Sequence, residues 1–224
     1  TCNMEFARES FSLFNYLTGY SYQKEWKNFF VAPINLRRSI IELINREAEF
    51  HTPENPGLII AKMNSLGHSE VINALYRASR KGVKVQLLVM GVCCLKPCVP
   101  GLSENIEVRS ILGRFLEHSR VFYFRNSGNS EFFLSSADWM ERNLHKRVEL
   151  MFPVYSPKLR AKLLNLLEIY WKDNTKSWRL MPDGTSEKIQ VSEGEKPFCA
   201  QEFLINEIQK TGKKSKKNIL SNNF

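Results

Sequence analysis

Two rhythms of apolar residues alternate along this chain, one at helical spacing and one in short unbroken runs. In residues 5–17, Phe6, Leu13, Phe14 and Leu17 fall close to helical spacing, and Gly19 ends the run. A linker rich in Tyr and Lys follows. Residues 29–32 (Phe-Phe-Val-Ala) read as a short buried strand stopped by Pro33. Leu36, Ile40, Leu43 and Ile44 then mark an amphipathic helix over residues 36–50, with charges on its other side. Beyond a loop punctuated by Pro53, Pro56 and Gly57, residues 58–61 form a continuous apolar strand. A helix at 69–81 ends at Gly82, and 83–89 is a second apolar strand.

Unbroken apolar strands separated by helices predict an α/β fold built on a parallel sheet covered on both faces. Later runs at 106–112, 121–124, 132–134 and 148–152 extend that sheet. The helix at 157–171 carries Leu159, Leu163, Leu164, Leu166, Leu167 and Tyr170, enough to make it a central packing helix. Residues 184–194 are polar and loop-like, and 198–208 make a last short helix. There is no internal repeat.

Charge changes the picture at one end. Lys and Arg number 32 against 23 Asp and Glu, a surplus of 9, and five of the lysines (Lys210, Lys213, Lys214, Lys216, Lys217) form one run. Without them the body has an ordinary surplus, so residues 210–224 are expected to be a disordered, solvated basic tail. Such a tail favours polyanions without choosing among them. The longest uncharged stretch through the apolar middle, residues 85–95, is too short to span a bilayer. Five Cys, an odd number at low density, argue against a disulfide framework and for a reducing, cytoplasmic setting. No secretory leader is visible, and an opening Thr1 is expected of a piece cut from a longer polypeptide.

Four segments carry candidate chemistry, each at a strand end, where open α/β sheets place their sites. Lys62 and Asn64 can hold phosphate oxygens, or be a surface Lys and a helix cap. Cys93, Cys94 and Cys98 invite zinc, but no spaced second half exists, so inert buried thiols and no metal site are expected. His118 stands between Glu117 and Arg120 and can act as acid, base or phosphoryl acceptor. Ser135, Ser136, Asp138, Arg142, Asn143, Arg147 and Glu149 gather hydroxyl and guanidinium donors for an oxyanion, with the carboxylates orienting the Arg or the His. A salt-bridged loop remains the plain alternative.

In order, LFNYLTGYS, AKMNSL, ALYRASRKGVKVQLLV, GVCCLKP, GLSENI, GRFLEHSRVFYF, SSADWMERNL and RVELMFP resemble the polyphosphate kinase family, in its C-terminal phospholipase-D-like domain. The likeness runs over residues 11–205 and is most specific over 101–153. It implies an α/β phospholipase-D-like domain with a central mixed, mostly parallel sheet flanked by helices. Residues 29–209 would form that domain, 1–28 the end of a preceding domain or linker. It further implies reversible transfer of the terminal phosphoryl group of ATP to inorganic polyphosphate, with Mg2+ whose ligands lie outside this fragment. Two such domains in the family each supply a His; the first becomes the phosphohistidine, and His118 matches the second, which assists at the nucleotide phosphates. Arg147 and Glu149 match site residues. ATP, ADP and polyphosphate are the implied partners, with homo-oligomers in the full-length protein and no specific nucleic acid.

Three positions depart from the family's pattern. Met90 stands where an ATP-phosphate Arg is usual, and His68 (after Gly67) and His145 replace usual Asp positions. No His-Pro-type phosphohistidine segment is present, so the isolated chain is expected to be inactive. A non-catalytic or degenerate polyanion- or nucleotide-binding homologue is the alternative. A phospholipase-D-like phosphodiesterase is disfavoured, because Arg120 occupies the Lys place of its His-x-Lys pattern.

Overall fold

The structure, a computed structural model, describes residues 3–221, with side chains described through Lys210. Its centre is a nine-stranded mixed sheet. The middle of that sheet comes from β2 (Leu58–Met63), β3 (Lys84–Val89) and β4 (Ile106–Ile111), which pair in parallel as expected. Helices α2 (Leu36–Phe50) and α3 (Ser69–Arg80) cover this part. Their buried Leu36, Ile40, Leu43 and Ile44, and Val71, Ile72 and Leu75, are the periodic apolar positions of the sequence. Each contributes roughly 1.5–3 kcal/mol on burial, and truncating one to Ala costs about 2–5 kcal/mol.

Elsewhere the sheet is antiparallel, which corrects the mostly parallel expectation. β5 (Arg120–Phe124) runs against β2; β6 (Glu131–Ser135) against β5; β7 (Glu149–Pro153) against β6; and β1 (Phe30–Ala32) against β7. The β5–β6 connection is short, and Asn126, Ser127 and Gly128 turn it through positive φ. A link of that length joins only antiparallel neighbours. All five residues of β5 are buried, so its unbroken apolar run reports cover on both faces and not strand direction.

The far edge holds two strands that the pattern missed, β8 (Ser177–Leu180) against β4 and β9 (Ser186–Lys188) against β8. β9 is wholly exposed. It is a strand only because β8 supplies its ladder, so residues expected as a loop carry no period to betray it.

Three apolar clusters hold the layers together. The largest lies between the sheet and α2 and α3, and also takes in Trp139 and Leu144. The second lies on the opposite face under α5 (Pro157–Lys172) and the start of α6 (Ala200–Ser221). The third packs Phe6 of α1 (Met4–Leu17) against Trp26, Phe29 and Val31. The Glu9 carboxylate of α1 also accepts the backbone N–H groups of Lys27, Asn28 and Phe29. The backbone of α6 is helical through Ser221, past residue 210 where composition called for disorder. Lys and Gln rank among good helix formers, so charge alone does not stop the helix. Residues 222–224 of the expected tail lie outside the described residues.

Candidate active site

Because β5 opposes β2, the C-terminal end of β2 meets the N-terminal end of β5 and the C-terminal end of β6; Lys62 pairs Val121 and Arg120 pairs Ser135. Gly91 joins them from the end of β3. Its N–H donates to the Asn64 carbonyl at 2.8 Å, and a Cβ there would sit 3.0 Å from that oxygen, so only glycine permits the approach comfortably. These ends enclose a cavity of about 550 Å3.

Most of the expected residues line it. His118 and Arg120 enter from β5, Asn64 from β2, and Ser136 and Asp138 from the loop after β6. Arg142 and Asn143 come from the short helix α4 (Glu141–His145), and Arg147 and Glu149 from the entry to β7. Ser65, Gly91 and Leu116 line it as well and were not singled out beforehand. A glycine two residues past an apolar strand was the signal for Gly91; Ser65 and Leu116 gave none.

The fixed point is Arg120. Buried with Asp138, it donates from Nε to Oδ1 at 3.0 Å and from Nη2 to Oδ2 at 3.1 Å, a bidentate ion pair. Burial would raise the Asp138 carboxyl, but the Arg120 bonds and the N–H groups of Asn64 and Ser65 outweigh it and hold the pKa below the ordinary value. The outer edge of the same guanidinium meets His118: Nη1 lies 3.2 Å from Nδ1, Nη2 3.3 Å from Nε2, and Nη1 donates to the His118 carbonyl at 3.1 Å. The two ring nitrogens point apart and only one of them can accept in a neutral imidazole, so one planar donor group cannot bond both in plane. The guanidinium lies across the imidazole and fixes its plane.

Lys62 does not line the cavity. It is fully buried beneath it, with Nζ donating to the carbonyls of Glu117 at 3.2 Å and Ser119 at 3.0 Å, the residues either side of His118. Burial pushes its ammonium down to about 8, against the pull of Glu117. Met90 packs against the second apolar cluster. The Ser135 hydroxyl donates to the Leu150 carbonyl and accepts from the Ala137 N–H. These three support the walls.

Glu149 is held as tightly as Asp138. Asn143 Nδ2 donates to its Oε1 at 2.7 Å, the Ser136 hydroxyl donates to Oε2, and Arg147 Nη1 stands 4.0 Å away. Arg142 makes no ion pair among the described residues, and Arg147 is 55% exposed. The two loosely held guanidinium groups therefore face the cavity while both carboxylates are committed to donors. The arrangement suits an anion with several oxygens.

On the opposite face of α4, His68 and His145 meet through their Nε2 atoms at 3.0 Å, beside Glu141. His68 is fully buried, and burial lowers its pKa, leaving a neutral imidazole. The cysteines divide: burial raises Cys93 to about 11, whereas Cys94 and Cys98 are exposed, against the expectation of buried thiols.

The family described as polyphosphate kinase C-terminal domain 2 matches residues 29–201. This chain belongs to that family. As a polyphosphate kinase C-terminal domain it is 46% identical to a polyphosphate kinase of Rhodopirellula baltica over 96% of this chain and 25% of that protein. It is 44% identical to one from Pseudomonas aeruginosa over 93% of this chain and 30% of that protein. The crystal structure of polyphosphate kinase from Porphyromonas gingivalis superposes with a TM-score of 0.90 at 37% identity, covering 96% of this chain and 33% of that one. A phospholipase D family member, Nuc from Salmonella typhimurium, shares the fold at a TM-score of 0.50 and 15% identity. The chain thus spans about a quarter to a third of the polyphosphate kinases it matches. No helix among the described residues is long and apolar enough to cross a membrane.

Proposed function

We propose that the cavity is the nucleotide-phosphate half of a polyphosphate kinase site, where the terminal phosphoryl group of ATP departs toward polyphosphate and ADP is left. The observation that carries this reading is His118, held across Arg120 at the rim of a cavity with two loosely held guanidinium groups opposite. Phosphoryl transfer demands chiefly positioning and neutralisation of charge spread over the moving oxygens. Arg142 and Arg147 supply that charge. His118 holds or moves the proton at the reacting phosphate, and Arg120, clamped by Asp138, keeps its ring from turning away.

Magnesium is part of the family's chemistry, and this pocket's carboxylates do not fit it as ligands. Both Asp138 oxygens and both Glu149 oxygens already accept from Arg120, Asn64, Asn143 and Ser136, whereas Mg2+ wants free hard oxygens in octahedral array.

The phosphohistidine belongs, on this reading, to another domain of the longer polypeptide. The 224-residue chain alone should therefore bind polyphosphate, more weakly as salt rises, and transfer nothing between ATP and polyphosphate. Turnover by the purified chain that survives a contamination control would overturn the division of labour. Absence of any polyphosphate or ATP binding would overturn the site.

A further inference from the structure

The geometry points to a metal site for a divalent cation of the zinc class, formed by His68 Nε2, His145 Nε2 and Glu141 Oε2 on the side of α4 away from the cavity. The three ligand atoms lie 3.0, 3.5 and 3.4 Å from one another. Ligands set tetrahedrally at about 2.1 Å from zinc are separated by about 3.4 Å, so the triangle has the dimensions of one face of such a site. Two imidazoles and one carboxylate are also a ligand set that zinc uses when a fourth position is left open.

Hydrogen bonding accounts for only part of this convergence. One proton can bridge the two Nε2 atoms, but the Glu141 oxygen lies beyond good hydrogen-bond distance from both. The ring centroids are 5.1 Å apart, so the imidazoles meet edge to edge through Nε2 and do not overlap. His68 is held by its backbone, its N–H and that of Gly67 donating to the Trp139 carbonyl at 2.9 and 2.8 Å. Its Nδ1 has no partner among the described residues, so every polar contact this buried ring makes runs through Nε2, to the two other members of the triangle. Glu141 and His145, one helical turn apart, complete the set from α4. At 56% and 42% exposure, they leave the fourth position to water.

A bound ion would tie the start of α3 to α4, whose other face carries Asn143 into the cavity, with Arg142 beside it. Its role is to fix α4. It rests on the local geometry alone and not on the phosphotransferase reading.

The test uses the 224-residue chain, stripped with a chelator and titrated with Co2+ and then Zn2+. One equivalent of cobalt should give the visible absorption of a tetrahedral ion without a near-ultraviolet thiolate band, and zinc should displace it and raise the melting temperature. His145→Ala should abolish the cobalt spectrum and weaken zinc by roughly 100-fold or more, at or beyond the upper end of the cost of losing a supporting partner. Glu141→Gln, at the most exposed position, should weaken binding with the fold intact, and a thermal melt without metal checks both variants. No saturable binding of either ion, leaving a proton-bridged histidine pair, would overturn the proposal. So would affinity unchanged in both variants, or a thiolate band that places the ion on Cys94 or Cys98.

Discussion

The short helix α4 separates a single histidine from a pair of them, and their neighbours could hardly differ more. On one side His118 is exposed and laid across a guanidinium that Asp138 has already neutralised. On the other, His68 is sealed and faces a second imidazole and a carboxylate. The first ring has a cavity and loose cations before it; the second has only ligand atoms. On the two proposals above, identical side chains are thereby directed to different work, one toward a reacting anion and one toward holding a helix. The neighbour, more than the histidine, decides.

The largest effect should come from removing the first ring. In a family-length polypeptide, His118→Gln should lower ATP–polyphosphate transfer by roughly 10²–10⁴-fold, the range for losing a general acid or base. The thermal melt should be unchanged, since the ring packs into no core. Full activity would end the catalytic reading, and a collapsed melt would make His118 structural.

Asp138→Asn comes next. It leaves the Arg120 guanidinium buried without its partner, at a cost of about 3–5 kcal/mol, visible in denaturant unfolding. The sign with pH follows from the depressed carboxyl. The stability that Asp138 contributes is complete above the unfolded value near 3.9 and is lost as pH falls through the lower folded value. The Asn variant should lack that acid-side loss. An unchanged acid limb would mean that the pair contributes nothing.

Lys62 sharpens the comparison from beneath. Its folded pKa of about 8 lies below the ordinary 10.5, so the unfolded chain binds more protons between those values and stability should rise with pH across that window. The gain is on the order of 3 kcal/mol. Lys62→Met should abolish the rise and, by freeing the carbonyls beside His118, slow transfer in the family-length polypeptide. A wild-type chain with flat stability from pH 8 to 10.5 would contradict the buried charge.

The smallest effects belong to the loosely held cations. Arg142→Ala and Arg147→Ala should each weaken ATP or polyphosphate by about 10- to 100-fold, the worth of a charge-assisted bond of 1.5–3 kcal/mol. Stability should hardly change, and calorimetry at fixed salt would show it. Equal affinity in the double variant would move the anion elsewhere.

The sequence pattern located the parallel β2–β3–β4 unit, α2 and α3, because their periodic residues are the ones that pack. It misjudged strand direction after β4, since an apolar run records burial on two faces and carries no arrow. It missed β9, whose side chains bury nothing. At the site, His118, Asp138 and the Arg142–Glu149 segment were legible because their residue types are costly anywhere but beside one another or an anion. Lys62 was read as a phosphate ligand, because position at a strand end does not reveal which face a side chain takes. The metal-like triangle escaped notice for a similar reason. His68 and His145 lie far apart in sequence, and only the docking of α4 beside Trp139 brings them together.

The edge strand β1 has a consequence for how this protein is made. Its ladder partner is β7, with Val31 opposite Leu150, roughly 120 residues further on. At 5–20 residues per second, a ribosome takes about 6–24 s to deliver that partner. During this interval α2, β2, α3, β3 and β4 have their parallel contacts available, while Phe29, Val31 and Trp26 have no sheet to cover them. The segment holding Trp26, Phe29 and Val31 is thus made well before its sheet partner and is among the last parts of this domain to settle, and it is where a holding chaperone would be of most use.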